Sequence, residues 1–133
     1  MDDARGKFIF VLDEGGDKQW RYLNQWEERP MFTTVEPSHP AAVILIINDP
    51  IRYKEAITDL VNLGFMVRTR ADADTIEARR NLTDRKMAAI DSGAKAISTD
   101  YYVSPEHFDS PYLVKPFIAF NPVTTKSSCY FKE

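Results

Sequence analysis

Val43-Ile-Leu-Ile-Ile47, followed directly by Asn48-Asp-Pro50, is the stretch that indicates the fold. A continuous apolar, β-branched run without polar alternation is typical of a strand that is covered on both faces of a parallel sheet. The Asn-Asp-Pro sequence ends this strand and caps a helix, which apolar residues at helical spacing predict over Arg52 to Leu63. Gly64 occupies the position of a helix C-terminal glycine. The stretch therefore predicts a buried strand followed by a helix.

The same pattern continues downstream. Phe65–Thr69 predicts a second strand, Thr75–Ser92 a helical region broken near Asn81–Asp84, and Ala96–Thr99 a last strand. Strands and helices that alternate at this spacing predict βαβ units and a parallel sheet. Residues 102–133 carry four prolines and no helical period. We interpret 1–101 as the α/β part and 102–133 as an irregular tail packed on it.

Upstream, Phe8–Leu12 is a second run without polar alternation, and we expect a strand covered on both faces there as well. Asp17 is expected to cap a helix whose apolar face includes Trp20 and Leu23. Met31–Val35 predicts another short strand.

Composition narrows the class of protein. The chain has 133 residues, of which 44% are hydrophobic, so it is large enough for one globular domain. A complete eight-stranded α/β barrel typically needs about 250 residues. The net charge of −3 and the lack of a basic run argue against a nucleic-acid partner.

Several other classes are disfavoured by single features. One cysteine, Cys129, cannot form a disulfide framework or a cysteine-based metal site within one chain. The apolar run Ala41–Ile47 is too short to span a bilayer, so we expect no transmembrane segment. Met1–Gly6 lacks the apolar core of a signal peptide, so we expect none in this chain. Localisation stays open.

Polar residues follow four of the predicted strands. They are Asp13-Glu14, Asn48-Asp49, Arg68 and Arg70 with Asp72 and Asp74, and Asp100-Tyr101. In parallel α/β folds the functional face lies at the carboxyl ends of the strands. Turn chemistry is the alternative explanation, because Asp and Asn favour caps and loops.

The two arginines suggest anion recognition. We interpret Arg68 and Arg70 as pointing to opposite faces of their strand, so that one binds phosphate oxygens and the other pairs with Asp72 or Asp74. The residues alone leave open which arginine does which. His39 and His107 are interpreted as solvated loop histidines, not as catalytic bases.

Several stretches together resemble the calcium-dependent phosphoinositide phospholipase C-like family of bacteria and fungi. They are Val67-Arg-Thr-Arg-Ala-Asp-Ala-Asp-Thr75 with Glu77-Ala-Arg79, Ser92-Gly-Ala-Lys-Ala-Ile-Ser-Thr-Asp-Tyr101, Gly6-Lys-Phe-Ile-Phe-Val-Leu-Asp13, Asn48-Asp-Pro50, and the tail segments Tyr112-Leu-Val and Phe120-Asn-Pro-Val123. The resemblance covers nearly the whole chain, and the Arg-Thr-Arg-Ala-Asp-Ala-Asp-Thr run is its most specific part.

The resemblance implies a distorted (β/α)₈ TIM barrel that cleaves phosphodiesters, with an inositol phospholipid or a similar molecule as substrate. It implies that this chain is the C-terminal half of such a barrel, with about four to five of its strands. One histidine acts as general base and a second protonates the leaving group, while Ca²⁺ stabilises charge on the phosphoryl oxygens. Those histidines and most calcium ligands belong to the N-terminal half, outside this chain. Family members are often secreted.

On this basis no catalytic residue is assigned. The expected substrate-binding residues are Asp13, Arg68, Arg70, Asp100 and Tyr101. From the residues themselves, Asp13, Glu14 and Asp100 offer the oxygen ligands that Ca²⁺ and Mg²⁺ prefer, but they are too few and too scattered to define a metal site.

Three functional hypotheses follow. The chain is the C-terminal portion of a phosphodiesterase, inactive alone, or it is a homodimeric half-barrel that binds phosphate-bearing ligands without catalysis. The second hypothesis answers the hazard of an open barrel, whose exposed strand edges favour aggregation unless another chain covers them. The third is an unrelated small α/β enzyme with His39 as base.

Overall fold

A computed structural model describes residues 7–115 of the chain. The chain divides into two compact units, Met1–Leu45 and Ile46–Glu133. In chain order, the strands are β1 (Val11–Leu12), β2 (Phe32–Thr33), β3 (Ile44–Ile46), β4 (Met66–Arg70) and β5 (Ala96–Ser98). The α-helices are α1 (Gly16–Leu23), α2 (Pro50–Asn62), α3 (Ile76–Arg80) and α4 (Asp84–Asp91), with a 3₁₀ turn at Trp26–Glu28.

The predicted α/β class is confirmed for the part of the chain that the structure describes. β1 pairs in parallel with β2, and β4 pairs in parallel with β5. β4 lies in the middle of a three-stranded sheet of order β3-β4-β5. Of residues 7–115, no helix is long and apolar enough to cross a membrane.

In the first unit, the covered strand predicted from Phe8 is wrong. Only Val11 and Leu12 form β1, opposite Phe32 and Thr33 of β2. Phe8 is 91% exposed and Phe10 is 59% exposed. The apolar run does contain a strand, but a two-residue pairing cannot cover all of its side chains.

The start of α1 also differs from the prediction. Gly15 is the N-cap residue, and Asp17 lies in the first turn. Asp17 accepts a hydrogen bond from Arg21 Nε at 2.9 Å, one turn along the helix. Such a pair on an exposed helix is worth only a few tenths of a kcal/mol, about 0.3–0.5 kcal/mol.

In the second unit, the helix predicted after the apolar run Val43–Ile47 is confirmed. Asp49 caps α2 by accepting a hydrogen bond from the Arg52 amide at 3.3 Å, and Pro50 is the first helical residue. Proline suits this position because its missing N–H would have no partner inside the helix. Gly64 follows the helix with a φ of +99°, a conformation that glycine adopts without steric cost.

The predicted break in the next helical region is confirmed as well. α3 ends at Arg80 and is capped by Asn81, which has a left-handed φ of 52°, and α4 begins after Thr83. Asparagine is one of the few residues other than glycine that visits this region readily. Two short helices therefore lie between β4 and β5.

Among the described residues of the second unit, Ile57, Val61 and Val67 are buried where α2 packs against β4. A core cluster consists of Ala71, Ala78, Tyr112 and Val114, with Ile97, Tyr101 and Phe108 partly buried against it.

Tyr112 and Val114 come from the segment that follows β5. Residues 102–115 of this segment contain neither helix nor strand. The rest of the predicted tail, residues 116–133, lies outside the described residues, and the division at residue 101 stays a prediction.

Candidate functional site

The carboxyl ends of β4 and β5 meet at one edge of the sheet. Because the two strands are parallel, with Arg68 opposite Ala96 and Arg70 opposite Ser98, the segments that follow them leave the sheet side by side. Between these segments lies a polar cavity of about 120 Å³. It is lined by Arg68, Arg70, Asp72, Ser98, Thr99 and Asp100.

Arg68 and Arg70 both line this cavity. The expectation that they point to opposite faces is wrong, because side chains two residues apart in a strand lie on the same face. The alternating residues Val67 and Thr69 are fully buried on the other face. Two guanidinium groups therefore lie at one cavity, and such groups match the geometry of phosphate oxygens.

The guanidinium of Arg68 is held by a neutral partner. Its Nη1 donates a hydrogen bond of 2.9 Å to Oδ1 of Asn48, which follows β3. Arg70 is exposed at the end of β4. Among the described residues, neither arginine forms an ion pair with Asp72 or Asp74, so the ion pair predicted for one of them is wrong.

Asp72 instead accepts hydrogen bonds from uncharged groups. It is only 3% exposed, and its Oδ1 accepts from the Asp100 amide at 3.0 Å. Its Oδ2 accepts from the Thr99 hydroxyl and, at 3.4 Å, from the Tyr112 hydroxyl. A buried carboxylate needs such donors, since burial without them is costly. The carboxylate therefore fixes the start of the loop after β5.

Burial and the nearby negative charge of Asp72 raise the pKa of Tyr112 far above its usual value. Its hydroxyl also donates to the Ala71 carbonyl at 3.0 Å. The phenol therefore stays protonated and serves as a donor to Ala71 and to Asp72.

A separate ion cluster lies on the helices beside the site. Arg85 of α4 donates to Glu77 of α3 at 2.8 Å and to Asp49 at 3.3 Å. Burial alone would raise the pKa of Glu77, but hydrogen bonds from the Ala73 amide and from Arg85 lower it below the usual value. The charge of Arg85 is thus matched by two carboxylates, unlike that of Arg68.

The structure brings together three of the five predicted substrate-binding residues. Arg68, Arg70 and Asp100 surround one cavity. Tyr101 does not line it: its hydroxyl donates to the Asp74 carbonyl at 3.1 Å, and its ring packs edge-on against Tyr112. Asp13 belongs to the first unit and is exposed there.

The histidines have no part in this cavity's lining. His39 lies in the first unit, where its Nδ1 accepts a hydrogen bond of 3.0 Å from the Ala41 amide. His107 is exposed in the segment after β5. Among the described residues, those that line the cavity include no histidine.

Sequence reasoning did not single out Glu77 and Arg85, or Ser98 and Thr99, as part of the site. Glu77 and Arg85 are eight residues apart with a break between their helices, so no helical spacing pairs them. Ser98 and Thr99 do end a predicted strand, and that position could have marked them as lining residues.

Calcium, which the resemblance implies, does not fit the described residues. Within 7–115 there is no group of three or more His, Cys, Asp or Glu side chains that could hold a metal ion. Asp72 already accepts from Thr99, Asp100 and Tyr112, and two arginines border the cavity. Ca²⁺ takes six to eight oxygen ligands. The cavity suits an anion and not a cation.

Comparison with known proteins gives a match to a family model. The model of the family described as phosphoinositide phospholipase C, Ca²⁺-dependent, matches residues 1–120. No curated protein and no solved structure matches the chain. The matched residues make up most of the 133, and they include all of the cavity-lining residues. This chain belongs to the Ca²⁺-dependent phosphoinositide phospholipase C family.

Proposed function

We propose that this chain supplies the substrate-side contacts of a phosphoric diester hydrolase or lyase and lacks the histidines that perform the chemistry. Its cavity binds the phosphate-bearing headgroup of an inositol phospholipid or a related phosphodiester. The second unit is then one part of a distorted TIM barrel, whose functional face lies at the carboxyl ends of its strands.

The observation that carries this proposal is the pair of arginines at one cavity. Arg68 and Arg70 line it together, and both carry a fixed positive charge. Asp100 lies on the same rim and is exposed, so its carboxylate is available to accept hydrogen bonds from ligand hydroxyls. A ligand with both a phosphate and several hydroxyl groups matches this combination, and an inositol phosphate has both.

The experiment is a calorimetric titration of the chain with inositol 1-phosphate. We expect binding by the wild-type protein and an affinity about tenfold lower for Arg70→Met, because one charge-assisted contact to phosphate is removed. Arg80→Met is the matched control: it removes the same charge from an exposed position on α3 and leaves the cavity lining unchanged.

Two results would contradict the proposal. The first is equal affinity of wild type and Arg70→Met. The second is hydrolysis of a phosphoinositide by the isolated chain, since the proposal assigns the catalytic histidines to a part of the barrel outside it.

The second candidate is a homodimer that binds phosphate-bearing ligands without catalysis. It is supported by the apolar side chains of Phe8, Ile9 and Phe10, which are 91%, 44% and 59% exposed. Large exposed apolar groups in a row mark interaction surfaces. Light scattering after size exclusion tests it: a dimer mass that becomes monomeric in Phe8→Ser/Phe10→Ser supports it, and a monomeric wild type excludes it.

A further inference from the structure

The contact between Asn48 and Arg68 combines a charged donor with an uncharged acceptor. Asn48 Oδ1 lies 2.9 Å from Nη1 of the half-buried Arg68. Hydrogen bonds to a charged group are stronger than those between neutral groups. The amide can therefore fix the orientation of the guanidinium, yet it contributes no negative charge.

The backbone around Asn48 is held from several sides. The Ile47 amide donates to the Arg68 carbonyl at 3.0 Å, and the Thr69 hydroxyl donates to the Ile47 carbonyl at 2.6 Å. Arg85 Nη1 reaches the Asn48 carbonyl at 3.4 Å. The main chain that carries the Asn48 side chain is thus bonded both to β4 and to α4.

Arg85, in the neighbouring ion cluster, differs from Arg68 in the charge of its partners. Arg85 lies between Glu77 and Asp49, at 2.8 Å and 3.3 Å, so two carboxylates compensate its charge. Arg68, which lines the cavity, has an amide where Arg85 has carboxylates. A carboxylate at position 48 would form an ion pair with Arg68 and compete with any anion for the guanidinium.

We propose that Asn48 is a positioning residue, which orients the guanidinium of Arg68 at the cavity while leaving its positive charge available to an anion. Where it concerns the ligand, this inference rests on the proposed function. It predicts different effects for the loss of the amide and for its replacement by a carboxylate.

Orientation is tested without ligand by NMR of the Arg68 guanidinium, whose signals are assigned by their loss in Arg68→Met. We expect rotation about the Nε–Cζ bond to be slow in the wild type and about tenfold faster in Asn48→Ala. In Asn48→Asp, which keeps the acceptor, the rotation stays slow. Asn62→Ala, on the exposed end of α2, is the matched control and leaves the rotation unchanged.

Charge is tested by calorimetric titration with inorganic phosphate. We expect affinity to fall about tenfold in Asn48→Asp, although Arg68 stays oriented, because the new carboxylate neutralises it. Asn48→Ala is expected to weaken binding as well, and this loss disappears in an Arg68→Met background, since Asn48 then has no guanidinium to position. An effect that persists there would be merely structural.

The outcomes separate this inference from the proposed function. Unchanged rotation of Arg68 in Asn48→Ala overturns the positioning role, whether or not phosphate binds. Equal phosphate affinity of Asn48→Asp and wild type overturns the role of the neutral amide. If the wild type binds neither inorganic phosphate nor inositol 1-phosphate while the rotation changes as expected, the proposed function fails and the orientation of Arg68 by Asn48 stands.

Discussion

The carboxylate of Asp72 and the main-chain amide of Asp100 form a hydrogen bond of 3.0 Å across the carboxyl ends of β4 and β5. Asp72 is nearly fully buried, whereas Asp100 is exposed on the cavity rim. The buried residue thus sets the backbone position of the exposed one, and both residues line the cavity.

Replacing Asp72 by asparagine is expected to lower the free energy of unfolding by about 1–3 kcal/mol, because an amide nitrogen would face donors that now bond to an oxygen. Urea unfolding measures the change. The control is Asp91→Asn, which breaks an exposed 3.0 Å pair with Lys54 and is expected to cost about 0–1 kcal/mol. Equal effects of the two substitutions would contradict the role given to Asp72.

Tyr112→Phe removes a buried hydroxyl that donates to Ala71 and Asp72, and we expect it to cost about 1–2 kcal/mol. The effect depends on pH. A group whose pKa is raised on folding contributes stability that is complete below its unfolded pKa, 10.0 for tyrosine, and is lost as the pH rises towards the folded pKa. Unfolding midpoints from about pH 8 to about pH 11 should therefore fall more steeply for wild type than for Tyr112→Phe. Parallel curves would count against a buried, protonated phenol.

Glu77 is expected to make the protein less stable as the pH falls, whereas Tyr112 does so as the pH rises. Its pKa is lowered in the folded protein from the ordinary 4.5, so its contribution to stability is present above that value and is lost as the pH falls through the folded pKa. In Glu77→Gln this part of the acid sensitivity should be absent, because the group 2.8 Å from Arg85 then carries no charge that can titrate. Thermal unfolding of both proteins at a series of pH values below about 5 tests this. An identical acid transition in the two proteins would show that Glu77 does not contribute.

Asn81 has a φ of 52° between α3 and α4, so substitutions there should follow backbone preference. Asn81→Ala is expected to destabilise the protein by about 1 kcal/mol, whereas Asn81→Gly should be nearly neutral, since glycine accepts positive φ without strain. Urea unfolding compares the two. If Asn81→Ala proved as stable as Asn81→Gly, the positive φ at this position would not strain a residue that has a side chain.

Calcium is expected to have no effect on the isolated chain, although the family is Ca²⁺-dependent. The described residues offer no group of three metal-binding side chains. Differential scanning calorimetry with excess CaCl₂ and with EDTA should give the same Tm. A Tm that rises with calcium would place a site among ligands that the cavity residues do not supply.

The order of strands and helices in the second unit could be predicted because its signals are local. The apolar run before Asn48, the proline at Pro50 and the glycine at Gly64 each act within a few residues of their own position. The edge of the sheet that carries Arg68, Arg70 and Asp100 followed from the general property of parallel strands.

What could not be predicted depends on partners far apart in the chain. Tyr112 and Asp72 are 40 residues apart, and no sequence pattern links them. The predicted length of β1 was wrong for a related reason. A strand needs a partner strand elsewhere in the chain, and β2 offers only Phe32 and Thr33 for pairing. The faces of Arg68 and Arg70, by contrast, could have been assigned from strand periodicity alone.

The burial of Tyr112 also has a consequence for biosynthesis. A ribosome produces β4 and β5 before it reaches Tyr112, which is 41 residues beyond the Ala71 carbonyl that its hydroxyl binds. Until that tyrosine leaves the exit tunnel, Asp72 lacks one of its donors and Ala78 lacks part of its cover. The hydrogen bonds that hold the loop after β5 at the cavity are therefore completed only late in translation.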